Sequence, residues 1–205
     1  MMEATAAGVH SAPLVLRMRP AIDMTDDEFF EFCELNRDLR FERTAEGDIV
    51  IMAPTGALTG ARNIRLAAQV STWADYDGTG RAFDSSTGFI LPNRATRSPD
   101  VAWVRRARLA VLAAEQKEKF LPLCPDFVIE LRSPSEALST LEEKMREYTT
   151  NGTQLGWLID PADQRVHVYR ADGTLEHLHG PAQLSADPVL PGFVLDLVPI
   201  WETEL

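Results

Sequence analysis

The run Pro125-Asp126-Phe127-Val128-Ile129-Glu130-Leu131-Arg132-Ser133-Pro134-Ser135 constrains this chain more than any other segment. It begins as an apolar, β-branched stretch suited to a buried strand, and it breaks at Ser-Pro-Ser. Just before the break it sets a carboxylate and a guanidinium two residues apart. Side chains alternate along a strand, so Glu130 and Arg132 share one face. Charge beside a core is costly unless it is paired or used. The end of this strand therefore reads as a site. A second acid, Asp100, opens another strand-like run, Ser98-Pro99-Asp100-Val101-Ala102-Trp103-Val104.

The rest of the chain supplies a setting for those two strands. Residues 1–20 read as an irregular N-terminal arm, and 21–205 as a single domain, since 205 residues suffice for one sizeable core and fall short of two. Thr25-Asp26-Asp27-Glu28 is a capping box, and Phe29, Phe32, Cys33 and Asn36 follow it at helical spacing. Leu39–Arg43 and Asp48–Met52 read as a hairpin across Ala45-Glu46-Gly47. Ile64, Leu66, Ala67, Val70 and Trp73 predict a long helix over 58–76, stopped by Asp77-Gly78-Thr79-Gly80. Strand-like runs follow at 81–84, 88–91 and 100–104, then a basic, helix-prone connection to Phe120. After the Glu130 strand, Ser139-Thr140-Leu141-Glu142 reads as a capping box opening a helix that Asn151-Gly152 stops. Leu155–Ile159 and Arg165–Tyr169 form a last hairpin. The pattern is a mixed α/β core with an antiparallel hairpin added at each end.

Composition excludes several classes. With 45% hydrophobic and 25% charged residues the chain is globular rather than disordered. A formal net charge of −11 argues against indiscriminate adhesion to nucleic acid or anionic membrane. Yet Arg62, Arg65, Arg81, Arg94, Arg97, Arg105, Arg106 and Arg108 fall in one stretch, which leaves room for a local basic groove. The two cysteines, Cys33 and Cys124, read as reduced packing thiols rather than a disulfide or metal framework. The N-terminus has neither a cationic start nor a long apolar stretch, so no signal peptide or membrane span is expected, and the expected location is the cytoplasm.

Paired acids on neighbouring strands suit phosphodiester hydrolysis. A hard divalent cation held by carboxylates stabilises developing charge and activates water. Asp100 and Glu130 are the candidate ligands, with the carbonyl of Leu131 as a third oxygen. A cation that positions water and touches phosphate completes the set. Arg132 has the simplest place for it, but arginine stays protonated and cannot act as a base. Lys144 is the alternative. It borders the apolar face marked by Leu141, Met145 and Tyr148, while Glu142, Glu143, Arg146 and Glu147 are expected to point outward.

Several strings, in order, carry a resemblance. They are Met52-Ala53-Pro54-Thr55-Gly56, Thr87-Gly88-Phe89, the Asp100 and Glu130 runs, Lys144-Met145-Arg146-Glu147-Tyr148, Gly156-Trp157-Leu158-Ile159-Asp160-Pro161, Val168-Tyr169-Arg170 and Leu190-Pro191-Gly192-Phe193. Over roughly residues 25–201 the chain resembles a bacterial family of restriction-endonuclease-like proteins, long filed as a domain of unknown function, within the PD-(D/E)xK nuclease superfamily. The resemblance implies a mixed sheet flanked by helices around an αβββαβ core. It matches Asp100 and Glu130 to the superfamily's two acids, and Lys144 to a lysine that has moved from the Arg132 position to the following helix. It also matches Glu42 to an acid before the first hairpin turn. Where the family often reads Glu-His-Gly, this chain has Leu58-Thr59-Gly60.

The expectation is a Mg2+- or Mn2+-dependent endonuclease acting on DNA, working as a homodimer and away from membranes. In this reading Arg62, Arg65, Arg94, Arg97, Arg105 and Arg106 border the acidic site and contact phosphates. The alternative is a non-catalytic binding or scaffold module that keeps the fold, because fold alone does not license function. A small-molecule phosphoesterase or sugar-acid enzyme is the weakest option, since no histidine cluster or phosphate-cradling glycine loop supports it.

Overall fold

A computed structural model describes residues 13–204; residues 1–12 of the expected arm lie outside the described residues. The part of the arm that is described is not wholly irregular. Leu14–Leu16 forms strand β1, which pairs antiparallel with a later strand, Ile49–Met52. Helix α1 (Asp26–Leu35) starts at its capping box, with the Glu28 carboxylate accepting from the Thr25 N–H at 2.7 Å. Strands β2 (Arg40–Arg43) and β3 (Ile49–Met52) make the expected hairpin. Helix α2 (Ala57–Asp77) ends where Gly78 takes the left-handed conformation at φ 73° and donates to Ala74 O.

Strand β4 (Gly80–Asp84) follows, then β5 (Phe89–Ile90), β6 (Thr96–Arg97) and β7 (Val101–Arg105). The basic connection contains short helices α3 (Arg106–Ala110) and α4 (Ala114–Lys117), and leads into β8 (Phe127–Leu131). Helix α5 (Leu138–Thr150) precedes strands β9 (Leu155–Asp160), β10 (Arg165–Arg170) and β11 (Leu175–His179). Strands β12 (Gln183–Ser185) and β13 (Val194–Asp196) and helix α6 (Val198–Trp201) complete the described chain. None of its helices is long and apolar enough to cross a membrane.

The capping box expected at Ser139 does not form. Helix α5 already begins at Leu138, with Ala137 at the cap and no side-chain bond there. The preceding turn is closed instead by Glu136, whose carboxylate accepts from Ser133 N at 3.0 Å and Ser133 Oγ at 2.7 Å. That turn sets the entry to the helix before the chain reaches Ser139.

The strands divide between sheets. A six-stranded sheet runs β11-β10-β9-β8-β7-β4, antiparallel except for the β8–β9 pair. Helix α2, strands β4, β7 and β8, helix α5 and strand β9 are its αβββαβ core. The restriction-endonuclease-like mixed fold expected from the sequence is therefore present. A second sheet, β1-β3-β2-β6-β5, gathers the N-terminal hairpin with the excursion between β4 and β7. Strands β12 and β13 pair separately.

Strand alternation decides which face bears the acid. Phe127, Ile129 and Leu131 of β8 pack with Leu66 and Val70 of α2 and with Phe193, Leu195 and Ile200 near the C-terminus. Val128 packs on the other face with Leu141, Met145 and Tyr148 of α5, and Glu130 shares that face. Helix α5 comes close because Gly156 lacks a side chain. A Cβ there would lie 2.5 Å from Met145 Cε and 3.3 Å from Val128 Cγ2. This contact seats α5 so that Lys144 and Tyr148 stand over Glu130.

Candidate functional site

Five elements and a strand's approach converge on one polar cluster. The β7–β8 register pairs Val101 with Ile129, and one step further places Asp100 opposite Glu130. Asp100 Oδ1 accepts from Asn63 Nδ2 of α2 at 2.9 Å, and its Oδ2 accepts from Leu131 N at 2.8 Å. Glu130 is only 4% exposed. Its Oε1 receives two donors from α5, Tyr148 Oη and Lys144 Nζ, each at 2.9 Å. The second sheet supplies the far wall. Glu42 of β2 reaches Lys144 Nζ through Oε1 at 2.8 Å and accepts from Ser98 N at 2.9 Å. Arg97 of β6 bridges Glu42 Oε2 at 3.2 Å and Glu147 Oε2 at 2.6 Å.

Four acids, Glu42, Asp100, Glu130 and Glu147, thus face two bases, Lys144 and Arg97. The surplus of negative charge settles on the central strands. Burial pushes the Glu130 carboxyl up, Asp100 and Glu42 push it further, and Lys144 only partly offsets them, leaving it at about 8. Burial also raises Asp100, against the opposing pull of the Leu131 N–H and Lys144. Glu42 goes the other way: burial is outweighed by Lys144 and Arg97, and its carboxyl is held below the usual range. For Lys144, burial lowers the pKa but Glu130 and Glu42 overcome it, so the amine is held firmly as ammonium. That is the opposite of the depression a general base needs.

The fold brings together only part of the expected set. Asp100, Glu130, Lys144 and Glu42 meet in the cluster. Leu131 enters through its backbone N–H, while its side chain packs on the opposite face. Arg132 turns elsewhere: its Nη1 lies 2.6 Å from Asp160 Oδ2 and its Nε donates to Glu136 O. Glu147, expected to point outward, is instead tied to Arg97 and to Asn93 Nδ2 at 2.8 Å. Thr59, where the family often has histidine, is buried in α2.

The six arginines do not line a groove at the site. Arg97 is inside the cluster with both sides of its guanidinium engaged by acids. Arg62 donates to Glu202 O at 2.7 Å, and Arg65 reaches Pro199 O and Glu202 Oε2, both at 2.8 Å. Arg105 and Arg106 stand at the far end of β7, roughly 16 Å along the strand from Asp100. There Arg105 lies near Asp126 and Arg106 donates to Gly78 O. Arg94 is exposed on the turn between β5 and β6. Sequence proximity gathered these residues; the fold distributes them over α2, the β5–β6 turn, β6 and the β7–α3 junction.

Reading the sequence missed Tyr148 and Asn63 as members of the cluster. Tyr148 had a signal, since it lies four residues beyond Lys144 and shares its helix face. Asn63 had none, because its role depends on how α2 crosses the sheet.

The donor set fits a hard divalent cation. Asp100 and Glu130 lie side by side with raised carboxyls, and no donor among the described residues reaches Glu130 Oε2. No group of three or more His, Cys, Asp or Glu side chains among the described residues could hold a metal ion. Two carboxylates, a backbone carbonyl and waters would have to suffice, which is the sparse oxygen set Mg2+ commonly takes.

Comparison with known proteins agrees with this architecture. The sequence model of the family Uma2, described as "Putative restriction endonuclease", matches residues 26–198. Among solved structures, the chain is similar to one described as a putative nuclease belonging to DUF820 from Anabaena variabilis. The TM-score is 0.70 at 21% identity, over 87% of this chain and 98% of that one. At that identity the likeness is one of fold. None of the curated proteins matches the chain.

Proposed function

The chain belongs to the Uma2 family of "Putative restriction endonuclease" proteins, and on that premise we propose that it is a metal-dependent endonuclease hydrolysing phosphodiester bonds in DNA. One observation carries the reading: Asp100, immediately before β7, sits opposite Glu130 of the adjacent β8, with the Lys144 ammonium 2.9 Å from Glu130. Asp100, Glu130 and the carbonyl of Leu131 would hold Mg2+ or Mn2+, which when bound stabilises charge at the phosphate and acidifies a water. Lys144, held as ammonium between Glu42 and Glu130, orients the attacking water and contacts the phosphate. Arg132 suits that role less, since Asp160 already engages its guanidinium. Glu42 and Arg97 keep Lys144 in place from the second sheet.

Cleavage of supercoiled plasmid in Mg2+, Mn2+ or EDTA tests this, with Mn2+ binding followed by calorimetry. Asp100→Ala is expected to lose both cleavage and Mn2+ binding. Lys144→Gln, which keeps a hydrogen-bond donor but not the charge, should lose cleavage by about 100-fold or more, the scale of a charge acting on the transition state. Arg132→Ala should lose about tenfold or less. Equal Mn2+ binding by wild type and Asp100→Ala, or a loss confined to Arg132→Ala, overturns the assignment. The dispersed arginines favour one second reading, a scaffold that keeps the fold without cutting. DNA binding with no cleavage in any metal would select it.

A further inference from the structure

We propose that Tyr148 is a positioning residue of this site, fixing the Glu130 carboxylate so that one oxygen belongs to the protein and the other is left for the cation. The inference rests on the nuclease reading above. Tyr148 is fully buried, and its hydroxyl donates to Glu130 Oε1 at 2.9 Å. Lys144 Nζ approaches the same oxygen at 2.9 Å, and no donor among the described residues reaches Oε2. Two donors on one oxygen, from successive turns of one helix, oppose rotation of the carboxylate. They also divide its two oxygens between separate tasks. The Tyr148 ring flanks the ammonium as well, with Nζ 5.9 Å from its centroid.

Lys144 alone would not fix the carboxylate in this way. Its ammonium is shared with Glu42, so it draws Glu130 toward the second sheet as readily as it holds it in place. Among the described residues the phenol makes no other hydrogen bond, and packing alone would be served by phenylalanine. Partners that orient a metal-binding carboxylate typically change affinity or activity by about 10- to 100-fold when removed.

The test compares Tyr148→Phe with wild type and with Tyr169→Phe. Tyr169 is the control, because its buried hydroxyl has no hydrogen-bond partner among the described residues. Mn2+ affinity by calorimetry should fall about 10-fold or more in Tyr148→Phe and stay unchanged in Tyr169→Phe. At saturating Mn2+ the KM for DNA should hold while kcat falls by a similar factor. Mn2+ affinity and kcat both within twofold of wild type overturn the inference. Failure of wild type itself to bind Mn2+ sinks the nuclease reading instead, so the two failures are distinct. Should Tyr148→Phe not fold, 3-fluorotyrosine at position 148 keeps the hydroxyl and reports through its fluorine resonance. A shift that saturates with Mg2+ supports the role, and a resonance that ignores Mg2+ overturns it.

Discussion

Glu130 shows what a single buried carboxyl costs its fold. Its carboxyl moves from an ordinary value of 4.5 to about 8 on folding, through burial and the neighbouring acids. Between those values the folded chain holds a proton that the unfolded chain has released. Metal-free stability is therefore expected to fall as pH rises from about 4.5 to about 8, and to level off above that. Glu130→Gln removes the titrating group and should flatten this slope. At pH 8 in EDTA it should be the more stable protein, by on the order of 1–2 kcal/mol. Urea unfolding at several pH values measures this, and a Glu130→Gln protein no more stable than wild type at pH 8 would contradict it. His167 contributes a slope of the opposite sign. Buried beside His177, its imidazole is held below 6.5, so the stability it contributes above that pH is lost as the pH falls toward its folded value. The same unfolding series on His167→Phe should show a weaker loss below pH 6.5 than wild type.

At the scale of elements, close approach matters more than propensity. Gly80 in β4 lies under the indole of Trp103 on β7, and a Cβ there would sit 2.3 Å from the ring. The indole cannot swing away easily, because Trp73 of α2 packs against it at 5.7 Å between ring centroids. Gly80→Ala should therefore destabilise the protein by about 1–3 kcal/mol, read as a lowered urea midpoint. Unchanged stability would mean that the Trp73–Trp103 contact is looser than its geometry suggests. At helix α1, Thr25→Ala removes the capping hydroxyl and should cost about 1 kcal/mol. The α1 box was legible because all its partners lie within four consecutive residues. The false box at Ser139 had the same Ser/Thr-x-x-Glu pattern, but Glu136 had already set the turn before it. Strands β12 and β13 escaped notice because three-residue strands carry too few alternations to show a period.

At the scale of the whole molecule, charge and topology work together. The chain carries −11 overall, and apart from the exposed Arg94 the arginines expected to offset this locally are spent on Glu202, Asp126, Gly78 and the acids of the cluster. DNA bound at the Asp100–Glu130 site would thus meet few free side-chain cations. Binding measured by fluorescence anisotropy in Ca2+ should depend only weakly on salt. The expected slope of log affinity against log salt is about −1 to −2, one or two phosphates neutralised. Binding should fail in EDTA, where the acids face the phosphates unscreened. A slope of about −5 or steeper would reveal a basic surface that the folded arginines do not suggest.

What the sequence determined by itself was local and periodic. The apolar strands around Asp100 and Glu130, the amphipathic helix carrying Lys144 and the N-terminal hairpin follow from alternation, spacing and turn chemistry. These are short-range properties, and they sufficed to mark both acids and the lysine. Which partners those residues keep was decided only by tertiary structure. Whether Lys144 or Arg132 stands at Glu130 depends on Asp160 taking Arg132 across the parallel β8–β9 pair. Glu42 reaches Lys144 because β6 draws the β4-to-β7 excursion onto the N-terminal hairpin. Tyr148 reaches Glu130 only because Gly156 lets α5 settle on the sheet. Spacing along a chain reports which face a side chain takes, but charge pairing across the fold is settled by which elements pack together.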